Sequence, residues 1–358
     1  MIKMAVCKTA VTAAAIVLLV GCSTIGPPTI PRDRFDYATA IADSWKRVML
    51  LNIVKLRYGD APVFLEVSSV INQYSLEAEF QAGASWNAFL PGDSQTLGGR
   101  GRYADRPTIT YNPLTGAKFG KSLLTPIPPA ALLSLIQAGW PVDFLLRICV
   151  SAINGIRNSS GVQLLARTAD PEFDRLLDAM TLIQQAGGLG MRIEEIGDKE
   201  VSVLYLRRDL DESLAKAVVT VKRLLGLNLE AHEFRLSYGA IPKDDKEIAI
   251  MTRSMIEITA ELASRVEVPI SHITDNRASP GKFDVADSRE ETRVRVRIRS
   301  STEKPADAFA AARYRDHWFY VDDRDFQSKR MFSFLMFLFT LAETSVPEKG
   351  PMLTIPAG

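Results

Sequence analysis

The sequence predicts an α+β fold in which helices pack on an antiparallel sheet. Three observations predict it. Apolar residues recur at helical spacing over residues 36–57 and again from Pro171 onward. They alternate with polar ones over 76–86 and 293–299. The two kinds of segment come in mixed order, with no repeating strand–helix–strand unit and no internal repeat. The chain has 358 residues, 47% of them hydrophobic and 24% charged, which suits one large domain or two modest ones. A net charge of +1 excludes the polyelectrolyte character that would point to nucleic acid.

The elements follow in order. Residues 36–57 form a helix, with Ile41, Trp45, Val48, Met49 and Leu56 on one stripe and Gly59 at its stop. Residues 62–86 are extended. Leu76, Ala78, Phe80, Ala82, Ala84 and Trp86 alternate there with Glu77, Glu79, Gln81, Gly83 and Ser85. A Gly-rich loop leads to a strand at 108–111. Pro129 opens a helix that Gly139-Trp-Pro141 breaks before a second, with Cys149 inside the helix-like run FLLRICVSAI. Another helix has Asp170 as its cap, Pro171 in its first turn and Gly187 past its end. Two short strands near 190–196 and 200–207 turn at Gly197-Asp198. Then come a helix over 211–225, a strand near 232–238 and a helix over 244–264. Residues 268–291 are polar and irregular. TRVRVRIRSS from Thr292 and AFAAARYRDHWFYV from Ala308 are expected to pair as two strands of a hairpin. The last helix, 325–343, has an apolar core of about twelve residues, below the length that spans a bilayer.

The N-terminus has its own logic. Lys3 and Lys8 precede an apolar run that ends in Leu19-Val20-Gly21-Cys22. This motif resembles the lipobox of bacterial lipoproteins, and the resemblance covers only the first tenth of the chain. It implies a signal peptide at 1–21, lipidation (palmitate among the acyl groups) of Cys22, and, with Ser at 23, sorting to the outer membrane of a Gram-negative cell, facing the periplasm. Residues 22–35 then read as a flexible tether rich in Pro and Gly. The folded body is 36–358, with a soft boundary near 157–170. Loss of Lys3 and Lys8 turns the formal +1 into −1. Cys149 is then the only free thiol, so no intramolecular disulfide is expected, and its apolar setting reads as core packing.

Candidate sites are few. The stretch RDHWFYVDDRDFQSKR, Arg315–Arg330, gathers a histidine with four aspartates and reads as strand, turn and helix cap. Asp325 is the expected cap, with a carboxylate site as the alternative. It lacks the ligand spacing of a calcium loop, and the chain has no Cys/His cluster for zinc. No metal or other cofactor is therefore expected. Gly116 and Gly120 sit one residue too close for a phosphate loop ending in Lys121-Ser122. Arg293, Arg295, Arg297 and Arg299 form a ladder that Arg313 and Arg315 extend. It is either a site for anionic envelope lipids or glycans, or a solvated face paired with acids such as Glu194, Glu195, Glu290 or Glu291. The hairpin 74–112 carries Trp86, Phe89 and Leu90 at its tip as candidate membrane contacts.

No triad, paired-carboxylate motif or nucleotide fingerprint stands out, so no residue takes a catalytic role. The expectation is a lipid-anchored outer-membrane protein that binds or scaffolds envelope components, its partners being the membrane and other envelope proteins. The alternative is a subunit of a homo-oligomeric envelope pore or transport assembly built on hairpin 74–112. An envelope hydrolase is third.

Overall fold

The computed structural model describes residues 30–71, 74–85, 94–105, 108–113, 117–161, 167–196, 199–208, 211–281 and 296–343. The signal, Cys22, most of the tether and the loop tip at 86–93 lie outside them. The chain divides into two compact units. One holds the residues up to Trp45 together with Phe64–Leu114; the other holds Lys46–Val63 and everything from Thr115 on.

The first unit is dominated by a β-ribbon. Strands β1 (Leu65–Ile71) and β4 (Thr108–Pro113) pair antiparallel, and β2 (Tyr74–Ser85) pairs with β3 (Ser94–Asp105). The β2–β3 register runs unbroken through twelve pairs, from Tyr74 opposite Asp105 to Ser85 opposite Ser94. Strict alternation over 76–86 predicts this element, and it forms.

The second unit is an α+β body. Helix α1 (Ile30–Arg57) brings its second half here, where Met49, Leu50, Ile53 and Val54 are buried. Helices α2 (Ala117–Leu124), α3 (Pro129–Gln137), α4 (Val142–Cys149), α5 (Pro171–Gln185) and α6 (Glu212–Leu224) follow. A six-stranded sheet has the order β6-β5-β10-β9-β8-β7. Its strands are β5 (Val150–Ile153), β6 (Ile156–Arg157), β7 (Leu189–Ile196), β8 (Lys199–Leu206), β9 (Glu233–Tyr238) and β10 (Glu247–Thr252). Leu133, Leu146, Met180 and Val221, one from each of α3 to α6, meet Ile153 and Ile250 of the sheet across a small, wholly apolar cavity. Then come α7 (Met255–Ala263), α8 (Ile270–Thr274), a three-stranded sheet of order β11-β13-β12, and α9 (Phe326–Glu343). Strands β11 (Arg299–Ser301), β12 (Ala308–Tyr314) and β13 (His317–Asp322) are antiparallel.

Several boundaries differ from the sequence reading, each for a physical reason. Residues 244–264 are strand β10 followed by helix α7, not one helix. Ile248, Ala249 and Ile250 are all buried, so the strand is covered on both faces and shows a continuous apolar run rather than alternation. Ser254 then caps α7 in a capping box with Glu257. The β9–β10 pair is parallel, the one parallel pair in an otherwise antiparallel sheet.

The helical run through Cys149 stops at that residue, and Asn154-Gly155 turns β5 into β6. Both turn residues have positive φ, 45° and 83°, as a tight hairpin requires. The Arg-rich strand does not pair with residues 308–314. Those residues fold back on 317–322 through Arg315-Asp316, and Arg299–Ser301 lie along the other edge of β13.

Asp170 does not cap α5. Its carboxylate accepts the backbone N–H of Arg157 at 2.8 Å instead. Asp325 does cap α9, accepting from Ser328 N at 3.1 Å.

Polar groups make the tight corners work. The break at Gly139-Trp-Pro141 is held by Gln184, which donates to Ile136 O at 3.0 Å and Trp140 O at 2.7 Å and accepts Val142 N at 2.9 Å. The last carbonyls of α4 are met by Asn158, with Nδ2 at 2.8 Å from Arg147 O, and by Arg253, with Nη1 at 2.9 Å from Ile148 O. Arg253 and Glu261 are 4% and 2% exposed. Glu261 also accepts Gly161 N at 2.7 Å and lies 3.5 Å from Arg265. This buried network ties α4, β10 and α7 together.

Candidate functional site

A cluster of ionisable and aromatic groups gathers at the end of α1. Tyr58 stands at its centre, 7% exposed. Its hydroxyl lies 2.7 Å from Nδ1 of His272 on α8. Its ring meets those of Tyr314 and Phe319 edge-on, with centroids 5.3 and 6.0 Å away. His317, the first residue of β13, sets its ring 5.1 Å from that of His272 at 79°. Two of the three histidines of the chain thus touch, although 44 positions separate them in sequence.

Asp60, just past the helix, accepts from the Tyr314 hydroxyl and from Arg315 Nη2, the latter at 3.1 Å. The Arg315 guanidinium covers the Tyr58 ring at 5.0 Å and the Tyr314 ring at 5.5 Å. To reach there, Arg315 and Asp316 both take positive φ, 46° and 65°. Non-glycine residues rarely adopt that conformation, and here a carboxylate and two rings hold it.

The electrostatics suit neutral histidine. Burial, then the neighbouring His317, Arg277 and Arg315, hold His272 below the ordinary imidazole range, with Asp275 opposing. Burial pushes the Tyr58 hydroxyl up, against Arg315 and Arg57. The group therefore links α1, α8 and the β12–β13 hairpin through uncharged hydrogen bonds and one ion pair. Sequence reading missed it because its members lie far apart along the chain. The only local hint is a charged Arg-Asp pair where a two-residue turn forms.

The predicted site residues are accounted for as follows. Arg293 and Arg295 lie outside the described residues. Val296 and Ile298 point inward, as their alternation predicts. The Arg297 backbone N–H donates to Ser328 Oγ at 2.8 Å. Arg299 pairs with Asp322 at 3.3 Å, Arg313 with Asp316 at 3.1 Å and Arg315 with Asp60. Glu194 pairs with Arg192 instead.

Trp86, Phe89 and Leu90 lie outside the described residues. Cys149 is fully buried, and burial pushes its thiol up to about 12, so it is no nucleophile. In the Arg315–Arg330 stretch, Asp323 holds Lys329 at 2.7 Å and Asp325 caps α9. Among the described residues no group of three or more His, Cys, Asp or Glu is placed to hold a metal ion, and no helix is long and apolar enough to cross a membrane.

The ribbon is the other candidate, and its register sorts residues by face. Leu76, Ala78, Phe80 and Ala82 lie opposite Tyr103, Gly101, Gly99 and Leu97. Glu77, Glu79 and Gln81 lie opposite Arg102, Arg100 and Gly98. Directly opposed residues in an antiparallel pair share a face. One face thus collects the apolar and small residues, and the other carries two Glu–Arg pairs. The run Gly98-Gly-Arg-Gly-Arg102, poor in apolar residues, has its arginines at the register positions of Glu77 and Glu79 and Gly99 and Gly101 at those of Phe80 and Ala78.

No protein-family profile, no characterised protein and no solved structure matches this chain.

Proposed function

We propose that this chain is a lipid-anchored envelope protein whose working element is the ribbon, contributed by each copy to an oligomeric pore or transport assembly in the membrane. The anchor is Cys22 and the membrane the outer one, on the strength of the lipobox resemblance and Ser23. One observation carries the reading: the unbroken β2–β3 register with its two unlike faces. Transmembrane strands need about 9–11 residues and alternate apolar and polar positions. Each ribbon strand has twelve residues, about 40 Å at the usual rise, so it is long enough.

The scaffolding alternative, with the arginine ladder as an anion site, has less support. Each of Arg299, Arg313 and Arg315 already has a carboxylate beside it. An incoming anion has to displace that partner.

The test uses single cysteines at consecutive positions 78 to 83 in the acylated protein. There the signal with Cys7 is gone, Cys22 is blocked by lipid and Cys149 is buried. Each cysteine is labelled with an environment-sensitive dye and reconstituted in vesicles carrying lipid-borne quencher. Quenching strong at 78, 80 and 82 and weak at 79, 81 and 83 is expected. Uniform water exposure along the series removes the insertion reading and leaves the scaffold.

A further inference from the structure

The ribbon has two long outer edges, and among the described residues each of its strands has a single partner. We infer that the partner for these edges is a second copy of this chain, joined head to tail, with the acidic strand of one copy beside the basic strand of the next. This deepens the insertion reading and rests on it.

The argument is one of charge placed by register. The outgoing arm, residues 65–85, carries Glu66, Glu77 and Glu79 and no basic residue. The returning arm, 94–113, carries Arg100, Arg102 and Arg106 against Asp105 alone. Within one ribbon Glu77 lies opposite Arg102 and Glu79 opposite Arg100. Like charges directly across a strand pair repel, and opposite charges attract.

Two ways of joining copies then differ sharply. A two-fold contact sets an edge against its own equivalent: Glu77 and Glu79 against Glu77 and Glu79, or Arg100 and Arg102 against themselves. A head-to-tail contact sets the glutamates of one copy beside the arginines of its neighbour. Only the second gives every charge an opposite neighbour on both sides. Head-to-tail contacts generate rings or open filaments, and a ring of hairpins is a closed barrel with no free edge. On the polar face the result is a belt in which Glu and Arg alternate around the assembly. An open edge in lipid leaves backbone groups without partners, so an inserted ribbon needs a strand against each edge.

The inference is tested by exchanging the charges. The fourfold variant E77R/E79R/R100E/R102E keeps every pair within its own ribbon and every seam with its own kind. A seam between exchanged and native copies sets like charges together. Native and exchanged full-length chains with different affinity tags are co-expressed, and mixed assemblies are counted after membrane extraction. Native pairs with native and exchanged with exchanged, while mixed capture falls roughly tenfold, as several like-charge contacts per seam demand. Mixed capture equal to native capture overturns the inference. So does a native chain that captures no second copy while its dye series still alternates, an outcome that leaves insertion standing.

A second measurement keeps the native charges, in case the exchanged chain does not fold. Chains carrying Gln81→Cys are mixed with differently tagged chains carrying Gly98→Cys and treated with a short thiol cross-linker. Head-to-tail joining links the two kinds to each other. Links confined to pairs of the Gln81→Cys chain mean a two-fold edge and sink the proposal.

Discussion

The six-stranded sheet and the ribbon treat their outer strands in opposite ways. The sheet blunts its edges. At one side β6 is two residues long. At the other, β7 carries Arg192, Glu194 and Glu195, and Arg192 is tied to Glu194 and to Glu233 of β9. Short strands and mixed charges discourage pairing with another chain. The ribbon offers edge strands of twelve residues, longer than either outer strand of the sheet, each with one sign of charge in its middle. An edge that is meant to stay alone is interrupted; one that is meant to be met is sorted. The body is also held by buried groups across several elements.

That contrast sets a series of expected outcomes. The largest effect falls on the body. Glu261→Ala strands Arg253 without its buried carboxylate and is expected to cost about 3–5 kcal/mol in urea unfolding. A loss under about 1 kcal/mol means the network does not hold the body. The alternating dye pattern of the ribbon stays as it was.

Next comes Gly281→Ala. A Cβ there falls 2.4 Å from Arg57 Nη2 and 2.7 Å from the backbone oxygen of Ser264, both closer than atoms tolerate. Backbone cannot step aside cheaply, so about 1–3 kcal/mol is lost, read as a lowered denaturation midpoint. An unchanged midpoint shows that the corner is loose.

A smaller effect is the pH response of the cluster at the end of α1. His272 binds its proton more weakly folded than unfolded. The unfolded chain therefore holds more protons between the folded value and the ordinary ~6.5, and stability rises with pH across that window. It is complete above about 6.5 and lost as acid takes the pH through the depressed folded value, with a slope of at most about 1.4 kcal/mol per pH unit for one histidine. His272→Asn flattens this part of the profile. His232, also held low by burial, keeps a remainder. An unaltered profile in the variant shows that His272 is not the titrating group.

The smallest effect on stability comes from the ribbon itself. Phe80→Asp places a charge on its apolar face and is expected to abolish insertion while changing the unfolding free energy by less than about 0.5 kcal/mol. A large midpoint shift erases the contrast between the two regions.

Local signals were legible where local physics decides. The alternation at 76–86, the proline starts of α3 and α5 and the cap at Asp325 all have their cause within a few residues. The parallel β9–β10 pair was not legible. A strand covered on both faces shows the same apolar run as a buried helix, and only Arg253-Ser254 marks where it ends. Asn154-Gly155 was a readable hairpin signal, overshadowed by the apolar residues before it. The Tyr58–His272–His317 cluster left no trace in sequence, since its parts meet only after α1, α8 and β13 have docked. The faces of the ribbon were half legible: the outgoing strand announced its period, while the glycines of the return strand hid theirs until register assigned them.

Two tight two-residue turns among the described residues, Asn154-Gly155 and Arg315-Asp316, bear differently on the order in which the chain folds. Asn154-Gly155 accepts left-handed backbone readily, so the β5–β6 bend is favourable by itself, and the Asn154 side chain then docks on Leu225, Glu247 and Ala249. Arg315-Asp316 resists the same shape and is held by Asp60 and Tyr58, more than 250 positions earlier. The β12–β13 hairpin therefore waits for the first helix to arrive before its own bend becomes favourable. In refolding kinetics, weakening that bend is expected to speed unfolding and leave the folding rate nearly untouched.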